Sequence, residues 1–325
     1  MAVAEASERF DCFGSSCAAF VIGAGQERSA REAVELVRRL LEDWHGRFSR
    51  FQADSELSRL NEDTRWEVPV SPLMARLAQA VRVAASLTGG LVDSTLVAQL
   101  EAAGYAGDLG EPVPLATALT LAPPRRPASA ALAAAWRTIE ADLARGIVTR
   151  PPGVKLDSGG LAKGLFADVL AERLAGHASF AINCAGDLSI GGSEGISRPI
   201  DVESPFDGST LHTFNLTRAG VATSGIGRRS WLDRDGRPAH HLLDPASGRP
   251  AFTGVVQVTA LAPSALIAEM HAKAAILSGP RAAADWLARG GVIVFDDGSY
   301  QVIEPPQPAA NRAASSDPPV ASPAL

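Results

Sequence analysis

The chain has 325 residues, 46% of them apolar and 20% charged, a globular composition that excludes a wholly disordered, collagen-like or disulfide-stapled protein. Its net charge of -6, from 30 Lys+Arg against 36 Asp+Glu, lacks the basic excess with which proteins displace counterions from a duplex, so no nucleic-acid partner is expected. No run of about 18 apolar residues occurs, so no membrane span is expected, and three cysteines, Cys12, Cys17 and Cys184, point to a reducing compartment rather than a disulfide framework.

In chain order, residues 1–9 are acidic where a signal peptide needs basic side chains, and no apolar segment follows. They read as a flexible N-terminus, and the chain, without signal peptide or lipobox, as cytoplasmic. The first strand is expected over Ala18–Ile22. A helix follows from Glu27 to about His45, with Val34, Val37, Leu41 and Trp44 on one face. Ser71-Pro72 opens the next helix, whose stripe is Leu73, Leu77, Ala80, Ala84 and Leu87, and Gly89-Gly90 stops it. Five prolines between Pro112 and Pro127 predict an irregular connection, and a helix is expected around Ala130–Arg145. Further strands are predicted at Ser179–Asn183, Leu188–Ile190, Pro199–Glu203, Leu211–Leu216, His240–Leu243, Gly254–Leu261, Val292–Phe295 and Tyr300–Ile303. Helices are predicted at Leu161–Leu174, Ser264–Leu277 and Arg281–Arg289. Runs of strands with helices before and after give an α+β layout in one domain, 10–303, without internal repeat or linker. Residues 304–325, with six prolines and six alanines, read as a disordered Pro/Ala-rich tail.

Four segments carry chemistry. Lys155-Leu156-Asp157-Ser158-Gly159-Gly160-Leu161-Ala162-Lys163-Gly164 runs from a strand end through two glycines into a helix with a lysine in its first turn. Free N–H groups, the helix dipole and an ammonium make an anion site there, against the plainer reading of a glycine turn with a surface lysine. The spacing is neither a Walker A loop nor a Rossmann fingerprint. His241-Leu242-Leu243-Asp244-Pro245-Ala246-Ser247-Gly248 places a histidine where a strand meets an Asp-Pro turn, though His240 beside it faces the other way and either can be structural. Asn183-Cys184-Ala185-Gly186-Asp187 reads first as a tight turn. Val221-Ala222-Thr223-Ser224-Gly225 offers two hydroxyls but no nucleophile elbow.

Together with Phe13-Gly14-Ser15, with Phe48-Ser49-Arg50-Phe51 continuing to Asn61, and with Gly89-Gly90-Leu91-Val92-Asp93-x-Thr95, these segments stand in an order that resembles the FAD:protein FMN transferases, the ApbE-like flavin transferases. The resemblance runs from about Phe10 to Ile303. It implies an α+β fold, a mainly antiparallel sheet with flanking helices and an FAD groove between the two halves. It further implies a transferase that moves the FMN half of FAD onto a Ser/Thr hydroxyl of a target flavoprotein and releases AMP. The target would carry a flavinylation motif of the form (Asp/Ser)-Gly-x-x-(Ser/Thr). By the resemblance, Phe13, Phe51, Leu91, Val92, Asp93, Asp157 and Lys163 match FAD contacts, and His241 matches the histidine needed for transfer. Asp93 has a plainer alternative as a helix N-cap before Thr95–Leu100.

The departures concern magnesium. The resemblance implies a Mg²⁺ site built from the Gly160 carbonyl, an Asp that is Glu269 here, and a third ligand four residues on, where Lys273 stands. A protonated ammonium has no lone pair to ligate a metal. The i, i+4 spacing predicts a Glu269–Lys273 pair on one helix face, read either as a modest exposed pair or as an ammonium that takes over part of the pyrophosphate charge. The same substitution motivates the alternative of an FAD-binding or FAD-hydrolysing protein without flavinylation. Ala185 in place of a glycine, Ser158 beside the loop glycines and Phe51 in place of a tyrosine are smaller departures.

Overall fold

The computed structural model describes residues 4–107 and 112–306. Eight strands form one sheet whose spatial order follows the chain, every neighbour antiparallel: β1 Glu5–Cys12, β2 Ser15–Ile22, β3 Ser179–Cys184, β4 Asp187–Gly191, β5 Ala219–Gly225, β6 Val255–Ala262, β7 Gly291–Phe295 and β8 Tyr300–Ile303. The helices are α1 Ala30–Phe48, α2 Glu56–Glu62, α3 Pro72–Leu87, α4 Val97–Ala102, α5 Leu115–Leu121, α6 Ala162–Leu174 and α7 Ala265–Ser278. The α+β class expected from the sequence is the class found. Among the described residues no helix is long and apolar enough to cross a membrane.

Local chemistry sets the long helices. Ser29 and Glu32 close a capping box at the start of α1, and Val34, Val37, Leu41, Trp44 and Phe48 are its buried face. Ser71 caps α3, with Pro72 in its first turn. Three helices line up on one side of the sheet: α1 packs on β1 and β2, α6 on β3 and β4, and α7 on β5 and β6. Both α6 and α7 are buried along most of their length, as expected for helices enclosed by a sheet below and further chain above.

Several expectations are corrected. The N-terminal stretch expected to be flexible up to residue 9 forms β1 from Glu5, fully paired with β2. No helix spans Ala130–Arg145. A single 3-10 turn at Ala135–Thr138 leads into a short strand, Glu140–Asp142, which joins Ile147–Thr149 and Glu67–Pro69 in a small separate sheet. Burial of Ile139 and Val148 outweighs the helix preference of the alanines. At Arg281–Arg289 only the 3-10 turn Ala283–Trp286 forms, enough to bury Ala283 and Leu287. The proline-rich connection contains α5. The strand expected over His240–Leu243 breaks at His241 and Leu242, leaving Pro238–His240 and Leu243–Asp244 in different ribbons. From residue 307 onward, the expected tail lies outside the described residues.

The contact that fixes the site is the crossing of α6 with α7. Asp168 of α6 accepts the Ala265 and Leu266 N–H groups at the start of α7, at 2.8 and 2.9 Å. Glu269 of α7 accepts the Gly164 N–H near the start of α6 at 3.0 Å. Each helix thus supplies a carboxylate to orphan donors of the other. Gly164 permits the approach, since a Cβ there would lie 2.7 Å from the Ala265 carbonyl oxygen. Gly164→Ala is therefore expected to cost about 2 kcal/mol, the usual range for overpacking, measured by urea unfolding. An unchanged midpoint would mean that the helices have room to part.

Candidate functional site

A cavity of about 440 Å³ opens between the first and second halves of the chain, within the range of roughly 300–1,000 Å³ usual for small-molecule sites. Its lining includes Phe13, Phe51, Leu91, Val92, Asp93, Asp157, Gly160, Lys163, His241 and Lys273. Residues singled out from segments more than two hundred positions apart therefore meet in one place. Glu269 does not line the cavity; it is fully buried directly behind it.

One end is aromatic. Phe13 sits at φ 57° in the turn between β1 and β2, a left-handed conformation costly for a bulky side chain. Its ring lies 5.1 Å from His45 and 5.7 Å from Phe166. Phe51 is 47% exposed at the rim. The Arg50 guanidinium lies 4.2 Å from the Phe51 ring centroid and 4.5 Å from that of Tyr105, and the two centroids are 5.4 Å apart, so the three groups pack as a triangle. Arg50 also donates to the Tyr105 carbonyl at 2.6 Å and pairs with Asp157 at 3.4 Å. Asp157 is in turn tied to the opposite wall, its N–H donating to the Ser94 carbonyl at 2.8 Å. The Ser94 hydroxyl, buried in the same wall, has no partner among the described residues. Asp93 accepts both the N–H and the hydroxyl of Thr95, at 2.8 and 2.6 Å. It does not cap a helix: α4 starts at Val97 with Leu96 in the cap position. Burial pushes the Asp93 carboxyl above the ordinary range.

The other end is charged. Lys163, in the first turn of α6, donates to Asp187 and lies 3.7 Å from Glu269. Burial alone would lower its pKa, but Asp187 and Glu269 outweigh burial and hold it up. Lys273, on α7, donates to Glu269 at 2.8 Å. This i, i+4 pair is buried rather than exposed, with Glu269 at 0% and Lys273 at 6%, so the modest surface pair is excluded. Burial opposes the charge on Glu269 as well, but Lys273 and Lys163 together keep its carboxyl below the ordinary value. Asp187 is pushed the other way, raised by burial and by Glu269 nearby. It occupies the tight turn expected at Asn183–Asp187, where Ala185 adopts φ 55°.

The two histidines separate. His240 is buried against Phe252, with ring centroids 4.7 Å apart, and its Nδ1 accepts the Leu242 N–H at 3.3 Å. His241, at the break in the chain, lines the cavity, and its Nδ1 has no partner among the described residues. Burial, then the neighbouring Arg229, then His240, Lys273 and Lys163 hold His241 well below the ordinary histidine range, so it is neutral at neutral pH. Arg228 and Arg229 also line this end. The sequence reading passed over Arg50, Tyr105, Ser94 and Arg229. Arg229 was findable as a basic doublet four residues beyond the Thr223-Ser224-Gly225 turn, whereas nothing local marked Tyr105.

The residues that the resemblance offers for Mg²⁺ do not fit a metal. Glu269 Oε1 is taken by Lys273 and faces Lys163, Oε2 holds the Gly164 N–H, and an ammonium stands where a third oxygen is needed. Magnesium requires oxygen ligands in near-octahedral geometry.

A profile of the ApbE family matches residues 13–295. The chain belongs to the ApbE family. It is 31% identical over 312 residues to the FAD:protein FMN transferase of Rhodobacter capsulatus, with 91% of this chain and 56% of that protein covered. It thus spans little more than half the length of that relative. It is 27% identical to the FAD:protein FMN transferase of Salmonella typhimurium, covering 85% of this chain and 79% of the relative. The ApbE protein of Thermotoga maritima superposes with a TM-score of 0.72 at 25% identity, covering 92% of this chain and 97% of that one. The apo flavinyl transferase ApbE of Pseudomonas stutzeri superposes with the same TM-score at 22% identity, covering 92% and 95%. The ApbE fold is thereby established for this chain.

Burial makes His240 a marker of native packing, depressing it to about 3. Unfolding exposes it with a pKa near 6.5, so the unfolded state binds a proton that the folded state refuses. The stability it contributes is complete above about pH 6.5 and is lost as pH falls towards 3. His240→Phe is expected to flatten the fall in unfolding free energy between pH 6.5 and 4.5 by up to about 1.4 kcal/mol per pH unit. Urea titrations at several pH values measure this, and an unchanged slope would place His240 in water.

Proposed function

We propose that this chain is an FAD:protein FMN transferase. It would move the FMN half of FAD to a Ser or Thr hydroxyl of a target flavoprotein and release AMP. The observation that carries the reading is the meeting, in one cavity, of a neutral histidine with an unpartnered ring nitrogen and a group of cationic side chains that includes Lys163, Lys273 and Arg229, beside an aromatic end. Phosphoryl transfer asks of a protein mainly a positioned nucleophile and stabilised charge. Phe13 and Phe51, with Leu91 and Val92, would receive the flavin. Asp93 and Asp157 would hold polar edges of the cofactor, and Lys163 with Lys273 would face the pyrophosphate.

In the reaction, the acceptor oxygen attacks the phosphorus of the FMN half. The bond from that phosphorus to the bridging oxygen breaks, AMP departs with the electron pair, and the hydroxyl proton passes to His241. Burial does most to keep His241 neutral, and the cations that add to its effect are groups the pyrophosphate would neutralise. Substrate binding therefore strengthens His241 as a base when it is needed.

The same reading extends to charge compensation without a metal. Lys273 is fixed by Glu269 and reaches the cavity, so its ammonium would offset pyrophosphate charge. A divalent ion at the neighbouring position would meet repulsion of several kcal/mol at an effective dielectric near 20.

Two experiments test the proposal. Incubation with FAD and a target domain bearing a (Asp/Ser)-Gly-x-x-(Ser/Thr) motif is expected to add one FMN mass to the target. His241→Ala is expected to lose transfer by about 10²–10⁴-fold while FAD affinity stays within a few-fold. Bound FAD with an unmodified target would instead favour an FAD-binding or FAD-hydrolysing protein. In fluorescence titrations, wild-type FAD affinity is expected to be indifferent to EDTA, and Lys273→Thr with Glu269→Asp to create a magnesium requirement. Wild-type binding that collapses in EDTA and returns with magnesium would contradict the role given to Lys273.

A further inference from the structure

Four cations line the charged end of the cavity, Lys163, Lys273, Arg228 and Arg229, but they are not equivalent: Arg228 is exposed to water, whereas the other three are partly or largely buried. Lys163 is matched by Asp187, and Lys273 by Glu269. Arg229, half-buried in the loop that follows β5, has no carboxylate partner among the described residues. Its one hydrogen bond there is from Nη2 to the Phe13 carbonyl, at 3.4 Å. A guanidinium taken partly out of water with no counter-charge is poorly compensated, and the surroundings favour an anion beside it. Its planar fork suits two oxygens of one phosphate better than an ammonium does. With one N–H spent on Phe13, the others remain free towards the cavity.

The position says which phosphate. Arg229 touches the turn that carries Phe13, at the aromatic end. Its charge also acts on His241 more strongly than that of either lysine. It therefore bridges the place for a flavin ring and the group that takes the acceptor proton. We infer that Arg229 is the phosphate-binding residue of the FMN half, its guanidinium holding the non-bridging oxygens of the phosphorus under attack. This rests on the transferase reading of the cavity. That phosphorus keeps its flavin and its two non-bridging oxygens throughout, exchanging only the bridging oxygen for the acceptor oxygen. The charge Arg229 holds is thus present before, during and after transfer.

The test compares FMN, riboflavin and AMP as probes, by titration against wild type, Arg229→Gln and Arg229→Lys. Arg229→Gln is expected to reduce the preference for FMN over riboflavin by tenfold or more and to leave AMP affinity within about twofold. Arg229→Lys should recover part of the FMN preference, because charge returns without the fork. Transfer from FAD should fall by about 10²–10³-fold in Arg229→Gln, the scale for removing one charge-stabilising donor. Arg234→Gln, on a turn away from the cavity, controls for general loss of positive charge. Equal losses for FMN and riboflavin, or a loss confined to AMP, would overturn the assignment. The probe comparison is independent of transfer: if wild type fails to modify any target, the transferase reading falls, while the FMN-to-riboflavin ratio still judges Arg229.

Discussion

The structure depends on two carboxylates exchanged between two helices. Asp168 of α6 holds the first N–H groups of α7, and Glu269 of α7 holds an N–H in the first turn of α6. Neither helix can rotate or slide without exposing the other's orphan donors in a region from which water is excluded. The register so fixed sets Lys163 and Lys273 on either side of one carboxylate, and Gly164 supplies the closeness that the exchange requires. Glu269 therefore acts twice, as a structural cap through Oε2 and as the anchor of two ammonium groups through Oε1.

That double duty explains the electrostatics of the cavity. Buried carboxylates are costly alone, and here Asp187 and Glu269 are each offset by a lysine that also lines the cavity. The result is a positively biased wall whose charges are held by rigid helices rather than by loops, which keeps reorganisation small when an anion arrives. Arg229 adds a charge without a carboxylate partner among the described residues, and burial together with that charge keeps His241 neutral. The aromatic end is assembled differently, from turns and rims. Arg50 ties Phe51, Tyr105 and Asp157 together, joining the aromatic rim to the glycine loop.

Much of this was legible in the chain. Ser71-Pro72 and its apolar stripe marked α3. The stripe of Val34, Val37, Leu41 and Trp44 marked α1, although its start was expected at Glu27 rather than after the Ser29 cap. Most strands of the second half lie within one or two residues of their expected ends. Five of the seven motifs that carried the family resemblance supply residues to one cavity, while Asn183–Asp187 and Val221–Gly225 supply none to its lining. What escaped was set by tertiary contacts. β1 is an edge strand whose inward alternation of Ala6, Phe10 and Cys12 is interrupted by Glu8, and its pairing with β2 holds it. The alanines of 130–145 read as a helix, yet Ile139 and Val148 are drawn into a small sheet. Residue spacing predicted the Glu269–Lys273 pair but not its burial, since α6 covers it from another part of the chain. The link from Lys163 to Asp187 needs the fold to bring a helix start and a hairpin turn together.

The central claim is that a lysine, set by the α6–α7 exchange, stands in the place of a metal. It is tested most directly by a crystal structure of the protein with FAD, grown in the presence of magnesium. The account predicts Lys273 Nζ within hydrogen-bond distance of a pyrophosphate oxygen, with Glu269 still bridging Lys273 and the Gly164 N–H, and no metal between the Gly160 carbonyl and the phosphates. A six-coordinate ion bound to the Gly160 carbonyl and Glu269, with Lys273 turned away, would contradict it.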